Sequence, residues 1–347
     1  MINSSNVVNP LNFSNYCDEV YSRLHFSNNI PLDDSKYKII EFNQTKNSDS
    51  IFYINQELTL YSGMTIFAHS ETIELFFKDL SNIKNLSNIT LVTSQADRTI
   101  TKKVFQKKPK FINNWYSINA LHSHEDLIPI PIGISDSYNL SNSSNKQILN
   151  LKTNNIFDKE EKLYLNFRVN TNSSHRSKNL KLLKDKEFVV DDTGTENIEN
   201  YLDMLTKYKY ILCPLGNGID TYRIWESLIA GSIPVVPNNN AYRAFKHLPI
   251  IFYDNPEDLS VKYLENYAKN LDYSNLQEKL TVPYWLKVSD NSTEKKSFIF
   301  NTDIKSFTYK RILKSKFKVF RYYIFKYFNL YNYIKFISRL TNRSKHL

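Results

Sequence analysis

Short apolar runs alternate with stretches whose apolar residues fall on one helical face over most of the chain. In the first half, YKIIEF (37–42) and IFYIN (51–55) read as strands. MTIFAHS (64–70) reads as a strand leading into an amphipathic helix from Glu71 to about Leu80. NITLVTSQAD (88–97) is a strand that ends in polar residues, and PKFINNWYSIN (109–119) and LIPIPIGIS (127–135) are further extended segments. This rhythm predicts a parallel sheet with covering helices. Residues 136–160 are Asn/Ser-rich, lose the rhythm, and predict a junction. It then restarts with strand KLYLNFRV (162–169), helix SSHRSKNLKLLKD (173–185), strand EFVVD (187–191), helix ENIENYLDMLTK (196–207) and strand YKYILCP (208–214). A helix to about Ala230, strand SIPVVP (232–237), a short helix near NAYRAFKHL, strand IIFY and helix PEDLSVKYLENYAKNL (256–271) follow. The second half therefore predicts a doubly wound α/β domain. The expected boundaries are residues 1–140 for the first domain, 141–160 for a linker, 161–290 for the second domain and 291–347 for a basic, aromatic tail expected to be helical. No internal sequence repeat is present.

Composition narrows the class. With 41% hydrophobic and 14% aromatic residues in a chain of 347, packed cores are expected and global disorder is excluded. The richness in Asn, Ile, Lys, Tyr and Phe fits an AT-rich genome, which makes Asn-x-Ser/Thr sites common by chance. Cys17 and Cys213 have no CxxC spacing, so neither a zinc site nor a disulfide framework is expected. Cys213 ends an apolar run and is expected to be a buried thiol in a reducing compartment. The N-terminal MINSSNVVNPLNF lacks the basic and apolar regions of a signal peptide, and no uninterrupted apolar run of about 18 residues occurs. The net charge is +10, yet residues 304–347 hold 12 Lys/Arg and no acid, which leaves the body at −2. Any polyanion-binding property belongs to that segment.

The chain has six glycines, and three of them lie in CPLGNGIDTYRIWESLIAGSIPVVP (213–237). Pro214, Gly216 and Gly218 permit a tight turn and close backbone approach by a ligand. Asp220 or Thr221 caps a helix of about three turns that Gly231 stops. A helix N-terminus beyond the carboxyl end of a parallel strand favours an anion such as phosphate. Arg223 in the first turn offers a bidentate guanidinium, and Glu226, three residues on, can accept hydrogen bonds from sugar hydroxyls. Ser227 and Ala230 keep that face small, and Ile224, Trp225, Leu228 and Ile229 are left to pack. The plainer alternative is a turn followed by a surface Arg/Glu pair worth about 0.3 kcal/mol.

The string of Cys213, Pro214, Gly216, Gly218, Arg223, Glu226, Leu228, Gly231, Ile233, Pro234, Val235 and Val236 resembles the nucleotide-sugar motif of exostosin-like glycosyltransferases. In that motif a CP-x-G-x-G turn leads to a helix reading R-x-x-E-A-L-x-x-G and then IPVV. Fucosyltransferases carry a related pattern. The resemblance is specific over about 25 residues and extends more weakly over 160–290, where LYLNFRVNTNSSHR and VPYW fit bacterial relatives. The first 60 residues and the tail are not covered. It implies a GT-B architecture: an α/β protein with two Rossmann-like, doubly wound domains facing a cleft, the N-terminal one on the acceptor side. It places Arg223 on the donor diphosphate, Glu226 on the ribose or donor sugar, and Gly216, Asn217, Gly218, Asp220 and Thr221 around the phosphates. Arg176, at the start of an earlier helix, is a second phosphate ligand or a surface arginine. Ser227 stands where a small residue commonly follows the Glu. Many exostosin-like enzymes carry an N-terminal membrane helix, which this sequence does not show.

An inverting transferase needs a base for the acceptor hydroxyl. Asp97, at the end of its strand, is the candidate, and its alternative role is a strand-end cap. Asn114, His122 and His124 are acceptor-side candidates, with Glu125 beside them and Trp115 as a lining or core residue. His122 and His124 alone are a weak metal pattern, so no metal and no cofactor are expected. The tail segment KRILKSKFKVFRYYIFKYFNLYNYIKFISRL (310–340) has three readings: an interfacial helix on an anionic membrane, a terminal helix packed on the body, or a nucleic-acid-binding segment. The expectation is a cytoplasmic glycosyltransferase, peripheral on the inner membrane face, moving a sugar from a nucleotide-sugar to a glycan or lipid-linked glycan. Its rivals are an inactive nucleotide-sugar-binding module and a nucleic-acid-binding protein acting through the tail.

Overall fold

Along the first half run strands Glu19–Ser27 (β1), Tyr37–Gln44 (β2), Asp49–Asn55 (β3), Glu57–Leu60 (β4), Thr65–His69 (β5), Ile89–Ser94 (β6), Ile112–Ser117 (β7) and Leu127–Pro129 (β8). The second half supplies Glu160–Leu165 (β9), Val189–Asp191 (β10), Tyr208–Leu212 (β11), Ile233–Pro237 (β12), Ile251–Tyr253 (β13) and Phe298–Asn301 (β14). The computed structural model describes residues 3–27, 36–44, 49–81, 83–135, 144–151, 156–195, 197–286 and 297–302. All of residues 304–347 and part of the expected 141–160 linker lie outside the described residues. Met1–Thr302 form one compact unit.

The first sheet has the order β2-β3-β1-β5-β6-β7-β8. Strands β1, β5, β6, β7 and β8 are parallel neighbours, whereas β2/β3 and β3/β1 pair antiparallel. The expected βαβ rhythm fails at that edge for a simple reason. Only residues 45–48 separate β2 from β3, far too few for a parallel crossover. The parallel strands also follow one another in a single direction, so this sheet lacks the order reversal of a doubly wound one. β5 and β6 are buried along almost their whole length, as strands covered on both faces must be. β14 pairs antiparallel with β4, so residues 298–301, expected to be helical with the tail, are extended.

The second sheet has the order β10-β9-β11-β12-β13, parallel throughout. This is the doubly wound order expected for the second half, and its direction reverses between β9 and β11. The two sheets share a core in which Phe67, Val92, Ile118 and Ile130 join Tyr164, Ile211, Trp225 and Val236. Among the described residues no helix is long and apolar enough to cross a membrane.

The N-terminal segment is locked to the first sheet at Gly133. Its φ is +71°, and a Cβ there would lie 1.9 Å from the Val8 carbonyl oxygen, which itself accepts the Ile134 N–H. Gly133→Ala therefore adds left-handed strain to a clash with backbone and is expected to cost about 3 kcal/mol or more. Urea denaturation of the full chain measures it, and a loss below about 1 kcal/mol would show that the segment moves aside freely.

Candidate functional site

The reversal between β9 and β11 is where an open α/β sheet binds its ligands, and the glycine turn follows β11 directly. The Tyr222–Ile229 helix starts from Thr221 in extended conformation and ends at Gly231 with φ +71°. Ile224, Trp225 and Leu228 are buried, as their apolar character predicted, and Trp225 packs edge-on against Phe245 and Trp285. The late VPYW stretch thus serves to seat this helix. Thr221 caps without a side-chain hydrogen bond. Its Oγ1 is buried and has no hydrogen-bond partner among the described residues.

The second helix at the reversal, Ser173–Leu183, follows β9 and is capped by Asn172. Arg176 in its first turn is 5% exposed, which rules out the surface reading. Its Nε donates to the Leu215 carbonyl at 2.8 Å and its Nη1 to the Arg168 carbonyl at 2.8 Å, while Asn172 Nδ2 donates to the Gly216 carbonyl at 2.9 Å. Arg176 and Asn172 so hold the turn from behind. Arg176 has no carboxylate partner among the described residues, and its pKa is pushed down to about 10, first by burial and then by the neighbouring Arg223 cation. A buried guanidinium beside a second one is costly unless an anion joins them.

Glu226 lies one turn beyond Arg223 and is 4% exposed. Burial raises its carboxyl, while the Tyr201 hydroxyl, donating to Oε2 at 2.7 Å, and Arg223 pull it back. Asn217 is the exposed tip of the turn. Asp220 faces inward instead. Its carboxylate accepts the N–H of Ile132 at 2.7 Å, the N–H of Thr221 at 2.8 Å and the Trp225 indole N–H at 3.1 and 3.2 Å. It braces the turn against the first sheet's chain beyond β8.

The first sheet meets the turn through Asp97 and Asn119. A Cβ on Gly218 would lie 2.9 Å from Asn119 Nδ2 and 3.2 Å from Asp97 Oδ1, so a side chain there would push these groups back. Asn119 takes φ +53°, and its Oδ1 accepts the N–H groups of Ile219 and Asp220, both at 2.9 Å. Its carbonyl accepts the Ile100 N–H, which ties it to the Asp97 loop. Gln95, at φ +69°, anchors the start of that loop through both main-chain polar groups of Leu24. Asp97 is exposed, and its carboxylate makes no hydrogen bond or ion pair among the described residues; Arg98 turns away to Glu74.

The other acceptor-side candidates separate from this group. Asn114 pairs in register with Thr90 near the start of β7, at the edge of the sheet opposite Asp97. Trp115 is core, donating to Thr93 Oγ1 and packed between Phe77 and Phe105. The rings of His122 and His124 pack on Phe105, and no hydrogen bond among the described residues joins them to the turn. Burial, then the His124, Lys102 and Arg243 cations, lowers the His122 pKa. Among the described residues no group of three or more His, Cys, Asp or Glu could hold a metal. Cys213 is buried, and its thiol is pushed up to about 12 by burial.

Sequence reasoning missed Asn119, Asn172 and Tyr201. Asn172 had a readable signal, an Asn before a helix, but its reach to Gly216 did not. Asn119 and Tyr201 act across about 100 and 25 residues of chain, and nothing local marks them.

Residues 153–252 match the RXYLT1 C-terminal domain family. The match spans under a third of the chain and contains Arg176, the glycine turn, Arg223 and Glu226. It bears out the resemblance to glycosyltransferases read from residues 213–237. No curated protein matches the chain. Among solved structures, an α1,3-fucosyltransferase with GDP-fucose is similar at 12% identity, covering 73% of this chain and 91% of that one, with a TM-score of 0.30. A second α1,3-fucosyltransferase structure is similar at 13% identity, covering 72% and 78%, with a TM-score of 0.29.

Proposed function

We propose that the chain transfers a sugar from a nucleotide-sugar donor to a glycan or lipid-linked glycan acceptor. The observation that carries the reading is Arg176, a buried cation without a carboxylate partner among the described residues, set beside Arg223 at the glycine turn where the second sheet reverses. The donor diphosphate would sit against both guanidinium groups and the start of the Tyr222–Ile229 helix, with Thr221 Oγ1 in reach of a phosphate oxygen. As the bond from the anomeric carbon to the phosphate oxygen breaks, these groups take up the charge on the departing nucleoside diphosphate. Glu226 accepts hydrogen bonds from the ribose or donor sugar. Asp97 takes the proton from the acceptor hydroxyl, whose oxygen forms the new glycosidic bond. The cationic role falls to the two arginines. A pentose donor is the first to try, because the family matched by residues 153–252 is one of xylosyltransferases. Residues 304–347, with 12 Lys/Arg and no acid, would hold the chain at the anionic inner face of a membrane.

The test is a thermal-shift screen of the full chain against UDP-, GDP-, CMP- and ADP-sugars, with Arg223→Ala as control. A donor at about 100 times its Kd should add about 2.7 kcal/mol of stability to the wild type and nothing to the variant. A folded wild type that shifts with none of them would refute the reading.

A further inference from the structure

Glu226 and Arg223 share one neighbour that the sequence did not single out. Tyr201, on the Ile198–Lys207 helix, is 8% exposed. Its hydroxyl donates to Glu226 Oε2 at 2.7 Å. The Arg223 guanidinium carbon lies 5.4 Å from the centre of its ring. One side chain therefore touches both groups of the R-x-x-E pair, through chemically different parts.

The contact leaves Glu226 half engaged. A carboxylate offers two oxygens, and Oε1 accepts no hydrogen bond among the described residues although the side chain is 4% exposed. A carboxylate oxygen with spare accepting capacity can take a hydroxyl or amide donor. The two helices are also fixed in relative register at their far ends. Lys159 Nζ donates to the carbonyls of Leu205 and Thr206 at the end of the Tyr201 helix, to the Ala230 carbonyl at the end of the Glu226 helix, and to Ser232 Oγ, at 2.8–3.0 Å. Tyr201 is thus held in place independently of the contact it makes.

We propose that Tyr201 is a positioning residue of the donor site, its hydroxyl directing the Glu226 carboxylate toward a donor hydroxyl and its ring seating Arg223 against the donor phosphates. This rests on the donor-site reading above. The hydroxyl fixes one oxygen and so turns the other outward. The ring face supports a cation at the distance of a cation–π contact.

Two exchanges separate the roles. Tyr201→Phe keeps the ring and removes the hydroxyl, whereas Tyr201→Leu removes both. Calorimetric titration of the full-length variants would use pyrophosphate, which reports the arginine seat alone, and UDP-xylose and GDP-fucose, which also present sugar hydroxyls. Tyr201→Phe should weaken the nucleotide-sugar bound by the wild type about tenfold and leave pyrophosphate within about twofold. Tyr201→Leu should weaken both. If the Leu variant does not fold, the cycle with Glu226→Gln decides: in that background Tyr201→Phe should cost less than about twofold. A structural role alone would weaken all probes alike and would persist in the Glu226→Gln background. Wild-type affinity for every probe in Tyr201→Phe, while Arg223→Ala loses pyrophosphate, would overturn the Tyr201 role and leave the site. Unchanged pyrophosphate binding in Arg223→Ala, or no binding by the wild type, would overturn both.

Discussion

Exchanging Asp97 for Asn is expected to lower turnover about 100- to 10,000-fold while leaving donor affinity within about twofold. Asn is nearly isosteric with Asp but cannot take the acceptor proton. Asp97 reaches the site from the first sheet, opposite the Gly218 turn, and its carboxylate has no partner among the described residues that would hold it in another task. It takes no part in bracing the turn, which Asn119 and Asp220 do. The proposed donor contacts and the proposed base therefore fall on different sheets, and one measurement can tell them apart. Initial rates over donor and acceptor concentrations, with donor titration by calorimetry, give both quantities. A loss of donor affinity matching the loss of rate would place Asp97 among the donor contacts instead. Undiminished turnover would exclude it as the base.

The position of Asp97 was legible because strand ends can be read from where an apolar run turns polar, and parallel strands put those ends at one edge. The same logic made the β11 turn and its helix legible down to the stop at Gly231. It failed for Asn114, because PKFINNWYSIN marks an extended segment without saying which end of it faces the site. The register with Thr90 decides that. Arg176 was ambiguous in sequence because a polar helix start looks the same whether it faces water or a buried turn. The three-dimensional neighbours, Leu215 and Arg168, are 39 and 8 residues away. The antiparallel edge was missed because apolar periodicity marks strands but carries no direction. The short separation of β2 and β3 held the information, and it is a matter of chain length alone. Asp220 was placed at the phosphates by the family resemblance, which carries over a whole loop without saying which of its side chains face the ligand. Its actual partners include Ile132, 88 residues earlier.

Asp220→Ala is expected to cost about 3–6 kcal/mol, a large part of the 5–15 kcal/mol that holds an ordinary domain folded. The carboxylate receives three buried N–H donors, from Ile132, Thr221 and the Trp225 indole, and Ala leaves all three without it. Because Ile132 follows the first sheet and the other two lie at the start of the Tyr222–Ile229 helix, the loss loosens the seam between Asp97 and Arg223. The residue also carries a pH signature. Burial raises its carboxyl from 3.8 to about 7, against the pull of the three donors. Between those values the folded chain keeps a proton that the unfolded chain has released. Its contribution to stability is therefore full below about pH 4 and is lost as the pH rises to about 7, at about 1.4 kcal/mol per unit. Asp220→Asn keeps the shape but cannot titrate, so the stability difference between wild type and this variant should fall with that slope across the window. Urea denaturation at pH 5, 6 and 7 measures it. A flat difference would mean that the three donors hold the carboxylate ionised throughout, and that the seam is pinned by a charge rather than by an acid.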